Sequence, residues 1–287
     1  MIMKESYLLK NVDKMITYDN EYQPSGCGTI PEKRDIEKYI NYGVVVVDKP
    51  PNPSSHEVDT WVKNIIQCEK TSHTGTLDPN VSGMLPIYLN KATPLLKVQQ
   101  SEGKVYVCEI KLNKKCNEKE FMNAVEKLTG HLYQRPPLEC AVKRELRLRW
   151  IYSIEVLEFY EKTALFILKC EAGSYIRTLC VHLGLMIGCG AEMGELRRTK
   201  SGFITEDSCV TLHDLKDAFY QYRTSGDDSI IRKVVKPLEF LLVSLPRIII
   251  KDSSVSSICH GGQLTVKGIY KYDENLEPSK DVVLITA

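Results

Sequence analysis

Residues 43–68, GVVVVDKPPNPSSHEVDTWVKNIIQC, contain the transition that decides the fold. Gly43 to Lys49 is a short β-branched run and reads as a buried strand, because valine packs well on a pleated surface and loses side-chain freedom in a helix. Prolines at 50, 51 and 53 end it, since none can donate a backbone hydrogen bond. Ser54 and Glu57 then stand at capping-box spacing. Val58, Trp61, Val62, Ile65 and Ile66 follow at helical intervals. A strand therefore runs, through one proline-rich turn, into an amphipathic helix.

Further along, KVYVCEIKL (104–112) alternates so that Tyr106, Cys108, Ile110 and Leu112 share one face of a strand. NEKEFMNAVEKLTG (117–130) predicts a helix with Asn117 as N-cap and Gly130 past its end. IYSIEVLEF (151–159) and TALFILKCE (163–171) read as two more strands. A helix starting after Gly173 and Ser174 carries Ile176, Leu179, Cys180, Leu183 and Met186. The order shows no regular strand–helix–strand rhythm. It predicts a mixed α/β (α+β) fold with a largely antiparallel central sheet flanked by helices. Residues 1–42 are polar and punctuated by Pro24, Gly26, Gly28 and Pro31. From Arg247 the runs RIIIKD, CHGGQLTVKG and VVLITA suggest a small β-rich domain.

Composition narrows the function classes. The 287 residues carry 38 basic and 37 acidic side chains, a net charge of +1, so any polyanion must be held by local patches. No apolar run reaches signal-peptide length at the N-terminus, and LEFLLVSLPRIII is broken by Glu239, Pro246 and Arg247, which predicts no membrane span. Ten cysteines are scattered without a CxxC pair, a distribution that reads as reduced, mostly buried thiols with no metal site. GLMIGCGAEMG (184–194) lacks the dinucleotide-binding spacing and follows a helix rather than a strand.

SHTGTLDPNVSG (72–83) places one acid, Asp78, among small and hydroxylated residues. Gly75 with Thr74 and Thr76 leaves room for a large ligand's backbone. An Asx-type turn is the simpler reading of the pattern alone. Arg177 falls in the first turn of its predicted helix, where a cation opposes the helix dipole. Either a compensating anion, carboxylate or phosphate, or plain solvation answers that placement. Tyr106 reads on strand pattern as a core tyrosine. Two basic clusters stand out in a nearly neutral chain: Lys143, Arg144, Arg147 and Arg149, then Arg197, Arg198 and Lys200. Charge runs are commonly solvated faces, yet two such clusters also suit a polyanion.

Taken together, DKPPNPSSHEV, HTGTLDPNVSGMLPI, GKVYVCEIKL, QRPPLECAVKRELRLRWIY, CEAGSYIRTLCVHLG and GELRRTKSG occur in the order and spacing of the TruB class of pseudouridine synthases, which this sequence resembles over nearly its whole length. AVKRELRLRWIY and the N-terminal LLKNVDK and KRDIEKYI are similar to the dyskerin branch of that class, the eukaryotic synthases of box H/ACA particles. KPLEFLL and RIIIKDSSVSSICHGGQLTVKGI resemble the start of a PUA domain. Ser72 departs from the class, which has glycine there. The lysine-rich tails of eukaryotic members are absent, and the PUA-like match stops after VVLITA. The resemblance implies an N-terminal extension (1–42) that packs on the PUA domain, a synthase domain (43–246) and a partial PUA RNA-binding domain (247–287).

It also implies the chemistry. Asp78 would be the catalytic aspartate of uridine-to-pseudouridine isomerisation, acting as nucleophile at C1′ or as base at C2′. Arg177 would be its charged partner, and Tyr106 the platform on which the flipped uracil stacks. Tyr175 would bond near the base, His73 would lie against the displaced strand, and Leu196 would line the pocket floor. Both basic clusters would hold phosphates. No cofactor or metal is implied. The expected partners are a box H/ACA guide RNA, substrate RNA (rRNA, snRNA) and the small core proteins of the particle, with no membrane, in the nucleus and nucleolus. A stand-alone tRNA synthase of TruB type and a non-catalytic H/ACA RNA scaffold are the competing expectations.

Overall fold

Strand β1 (Gly43–Lys49) carries four valines with no solvent exposure, flanked on both faces. The computed structural model, which describes residues 7–138 and 142–287, places it in a long twisted sheet. Helix α1 (Ser55–Ile66) follows the proline turn, and both halves of its capping box form between Ser54 and Glu57. Val58, Val62 and Ile66 are buried. Trp61 departs from the expected apolar stripe and is 43% exposed, since it sits one residue off the row that meets the core. Then come β2 (Thr71–His73), β3 (Ser82–Leu89), β4 (Lys104–Leu112), α2 (Glu118–Lys127), β5 (Gly130–Gln134), β6 (Arg147–Tyr160), β7 (Thr163–Cys170), α3 (Ile176–Ile187), β8 (Ala191–Ser201) and α4 (Leu212–Ser225).

The sheet order is β1-β3-β8-β4-β7-β6-β5, with β2 on β3. Every neighbouring pair in that path is antiparallel except β3 and β8, which meet in parallel at Ser82–Arg197 and Gly83–Arg198. The expected mixed, antiparallel-dominated architecture is what forms. Its core is written in the alternation of β4 and β7. Cys108, Ile110 and Leu112 with Ala164, Phe166 and Leu168 face Phe121, Ala124 and Val125 of α2 and Leu179, Cys180 and Leu183 of α3. Asn117 caps α2 through the Glu120 amide, as its spacing predicts.

The chain divides into two compact bodies, Val44–Val235 and a second made of the segment up to Gly43 with Lys236–Ala287. In that second body Ile269–Tyr272 pairs antiparallel with both Ile16–Thr17 and Arg247–Ile250, and the latter pairs in parallel with Val283–Ile285. Arg247 joins the segments: its guanidinium meets Asp273 and donates to the carbonyls of Leu8 and Lys10 at 2.8 and 2.6 Å. The sequence reading of short β runs here needs one correction: RIIIKD and VVLITA contain strands, but CHGGQLTVKG (259–268) forms none, and Asp252–Cys259 is a helix. Serine- and β-branched-rich DSSVSSIC has weak helix propensity, so tertiary context decides it. Among the described residues no helix is long and apolar enough to cross a membrane.

Candidate active site

The loop between β2 and β3 carries Asp78 and is held from four directions. Ser55, at the start of α1, exchanges bonds with Leu77: its hydroxyl donates to the Leu77 carbonyl at 2.9 Å and accepts from the Leu77 amide at 2.8 Å. Lys49, wholly buried at the end of β1, donates from Nζ to the carbonyls of Pro50 (2.8 Å) and Pro79 (3.0 Å). The Asn52 amide donates to the same Pro79 carbonyl, and the Val81 amide to that of Asp78. From below, Arg198 donates to the Gly75 carbonyl at 2.7 Å and to that of Met84 at 2.8 Å. Gly75 (φ +63°) is required there, because a Cβ would stand 2.8 Å from the Arg198 guanidinium.

Arg177 reaches this loop from the first turn of α3. Its Nε lies 2.9 Å from Asp78 Oδ2. The carboxylate is 43% exposed, so the pair is aimed and desolvated on one side yet open to a cleft of about 750 Å³. Of the two readings the sequence left for Arg177, an anionic partner is the one that forms, and it is a carboxylate. The same cleft is lined by His73, Tyr106, Tyr175 and Leu196, which the sequence reading had grouped with Asp78, and by Lys104, Arg147 and Arg198. Asp78 is the one acidic side chain among these lining residues, so the wall suits a polyanion and the acid stands alone within it.

Burial sets the ionisation of the floor. The Tyr106 phenol is pushed up by desolvation, further from the range in which it would ionise, and presents a flat uncharged ring. Burial lowers Lys104 to about 8, helped by the nearby Arg198 charge, and its Nζ donates to the Glu102 carbonyl. Lys49 is likewise lowered to about 8 by burial, against the pull of Asp78 and Glu57. His73 Nδ1 stands 3.9 Å from the Asp59 carboxylate, whose other oxygen accepts from the Thr71 hydroxyl. Gln134 fixes Tyr175: Tyr175 N–H donates to its Oε1 at 2.9 Å, and its Nε2 donates to the Tyr175 carbonyl at 3.3 Å.

The basic clusters separate by role, and two expectations are corrected. Arg198 was grouped with phosphate contacts, but it is 1% exposed, with Nη1 on the Gly75 carbonyl of the Asp78 loop and Nε on the Met84 carbonyl of β3. Arg197 is taken by carboxylates, bidentate to Asp48 at 2.9 and 3.1 Å and bonded to Glu206 at 2.6 Å. Arg147 lines the cleft. Arg149 turns to the Gly173 carbonyl, Arg144 to that of Pro136, and the exposed Lys143 pairs with Glu145. Lys200 is exposed on β8. Cys140 lies outside the described residues. Lys49, Ser55, Lys104 and Gln134 were not singled out from sequence. Only Lys49, the last residue of a buried strand before a proline turn, gave a signal, since a lysine there must find carbonyls.

Family models match in sequence along the chain: a DKCLD domain over 4–59, the N-terminal domain of TruB family pseudouridylate synthase over 63–176, the C-terminal domain of tRNA pseudouridylate synthase B over 177–243, and a PUA domain over 246–287. The H/ACA ribonucleoprotein complex subunit CBF5 of Kluyveromyces lactis is 50% identical over 97% of this chain, and that of Saccharomyces cerevisiae 49% over the same share. The chain spans 60% and 59% of their lengths. A crystal structure of a Cbf5-Nop10-Gar1 complex matches with 43% identity and a TM-score of 0.86, covering 95% of this chain and 83% of that one. An H/ACA ribonucleoprotein bound to a substrate RNA containing 2′-deoxyuridine matches with 41% identity and a TM-score of 0.87, with the same coverage. The chain belongs to the TruB family of pseudouridylate synthases, in the branch that contains the Cbf5 subunits of H/ACA ribonucleoproteins.

Proposed function

We propose that this protein is the catalytic subunit of a box H/ACA ribonucleoprotein and isomerises uridine to pseudouridine in rRNA and other RNAs chosen by a guide RNA. One observation carries the reading: the Asp78 carboxylate, paired with Arg177 Nε at 2.9 Å, opens onto a cation-lined cleft that also contains Tyr106. Isomerisation breaks the N1–C1′ bond, turns the uracil and rejoins it through C5. It needs a carboxylate at the ribose, and a charge-assisted bond from Arg177 aims that group. A folded RNA must flip the uridine out, at a cost of a few kcal/mol. Stacking on the neutral Tyr106 ring offsets about 1–3 kcal/mol of it.

In this reading Tyr175, held by Gln134, presents its side chain near the base, Leu196 closes the floor and His73 lies against the displaced strand. Arg147 at the cleft, with Lys143, Arg144, Arg149 and Lys200 outside it, supplies contacts to the phosphate backbone, which position RNA without reading its sequence. Target choice falls to the guide RNA, and small core proteins like those in the related complexes complete the particle. The corresponding place is the nucleus, in the nucleolus. The test assembles wild type and Asp78→Asn into particles with guide RNA and core proteins, then measures pseudouridine and RNA binding separately. Lost product with RNA affinity retained is expected; equal product from both proteins refutes the assignment. Strong turnover on bare tRNA transcript without guide or partners would favour a stand-alone tRNA enzyme.

A further inference from the structure

Helix α3 begins without a side-chain cap. Tyr175 occupies the N-cap position, and its side chain makes no capping bond. The same turn bears Arg177, a cation at the positive end of the helix dipole. An uncapped, charge-opposed first turn is prone to fray, yet the chemistry needs the guanidinium at one distance from Asp78.

The clamp comes from the end of β5. Gln134 is fully buried, and its side-chain amide makes a reciprocal pair with the Tyr175 backbone, accepting its N–H at 2.9 Å and donating to its carbonyl at 3.3 Å. Only one orientation of the amide works, because turning it over would set donor against donor and acceptor against acceptor. Beside it the Thr178 hydroxyl donates to the carbonyl of Arg135 at 3.1 Å, so two consecutive residues of one strand end hold both sides of Arg177.

We propose that Gln134 is a positioning residue for the isomerisation: by fixing the backbone of Tyr175 it sets the direction from which Arg177 presents Nε to Asp78. This deepens, and rests on, the functional reading above. Gln134 does not line the cleft and acts through Arg177. Its removal therefore impairs the chemical step and spares RNA binding.

Gln134→Met keeps the length of the side chain and loses both bonds. Gln134→Glu keeps an acceptor for the Tyr175 amide and loses the donor to its carbonyl. In the assembled particle with guide RNA, Gln134→Met is expected to slow single-turnover isomerisation by about tenfold to a hundredfold, with RNA affinity unchanged and Gln134→Glu in between. In an Arg177→Lys background Gln134→Met adds little, since the guanidinium it aims is gone. A folded Gln134→Met with wild-type rate, or losses that simply add to those of Arg177→Lys, overturns the proposal. Should Gln134→Met fail to fold, Gln134→Glu carries the test through the NMR signal of the Arg177 Nε–H, which shifts or broadens if the clamp is real and stays put if it is not. A wild-type particle that makes no pseudouridine would instead defeat the functional reading, and the Nε–H signal would still decide the clamp.

Discussion

Two buried ammonium groups, Lys49 and Lys104, stand behind the acid and the aromatic floor, each lowered by burial to about 8 from an ordinary 10.5. Between those two values the unfolded chain holds protons that the folded chain has given up. Stability contributed by these lysines therefore rises as pH climbs from 8 to about 10.5, and is flat below 8. Buried thiols such as Cys170, pushed up to about 12, pull the other way above 9, so the informative comparison is with a variant. Urea unfolding of wild type and Lys104→Met at pH 7, 8, 9 and 10 should show wild type gaining on the variant across that window. A gap that narrows against wild type refutes the buried-ammonium account. Turnover follows the opposite course, because deprotonated Lys49 donates more weakly to the Pro79 carbonyl and loosens the loop bearing Asp78. A rate that falls above about pH 8 while stability rises is the expected signature.

At the scale of elements, α1 does two jobs through adjacent serines. Ser54 caps the helix, whereas Ser55 ties Leu77 and with it the Asp78 loop. Ser54→Ala should cost about 0.5–2 kcal/mol of stability and leave the single-turnover rate alone. Ser55→Ala should lower the rate at saturating RNA, and identical behaviour of the two variants would contradict this division. Where β3 meets β8 in parallel, Gly83 has φ +100°, and an added Cβ would stand 2.3 Å from the Arg198 carbonyl. Gly83→Ala should therefore destabilise by more than about 1 kcal/mol, read as a lowered denaturation midpoint. The strand, the proline turn and the capping box were all legible because local chemistry and tertiary fate agree there. The inner place of Arg198, which the sequence reading missed, has a signal in the strand pattern. Period two sets it on the face of Leu196 and opposite that of Arg197, so one RR pair performs two tasks. Helix 252–259 was not legible, since its propensity and its packing disagree.

Over the whole molecule, charge is almost cancelled, and the proposed RNA binding must be built from position rather than total. The family motifs grouped Asp78, Arg177 and Tyr106 in advance, and the fold brings the three to one cleft. The spacing of the motifs could not tell free cations from neutralised ones, because that depends on which carboxylates the fold brings near. Salt titration separates them. Each arginine or lysine that neutralises a phosphate adds about 0.7–0.9 to the slope of log affinity against log salt. Arg147 lines the cleft, so Arg147→Ala should flatten that slope by roughly one such unit and weaken binding to different RNAs alike. Arg197 is already matched by Asp48 and Glu206, so Arg197→Ala should leave the slope in place. Its loss should register instead as lower stability, because two carboxylates are left facing each other without their shared cation. A slope that falls equally for both variants would mean that Arg197 leaves its carboxylates to meet RNA, and the division between cleft-wall cations and internal ties would have to be redrawn.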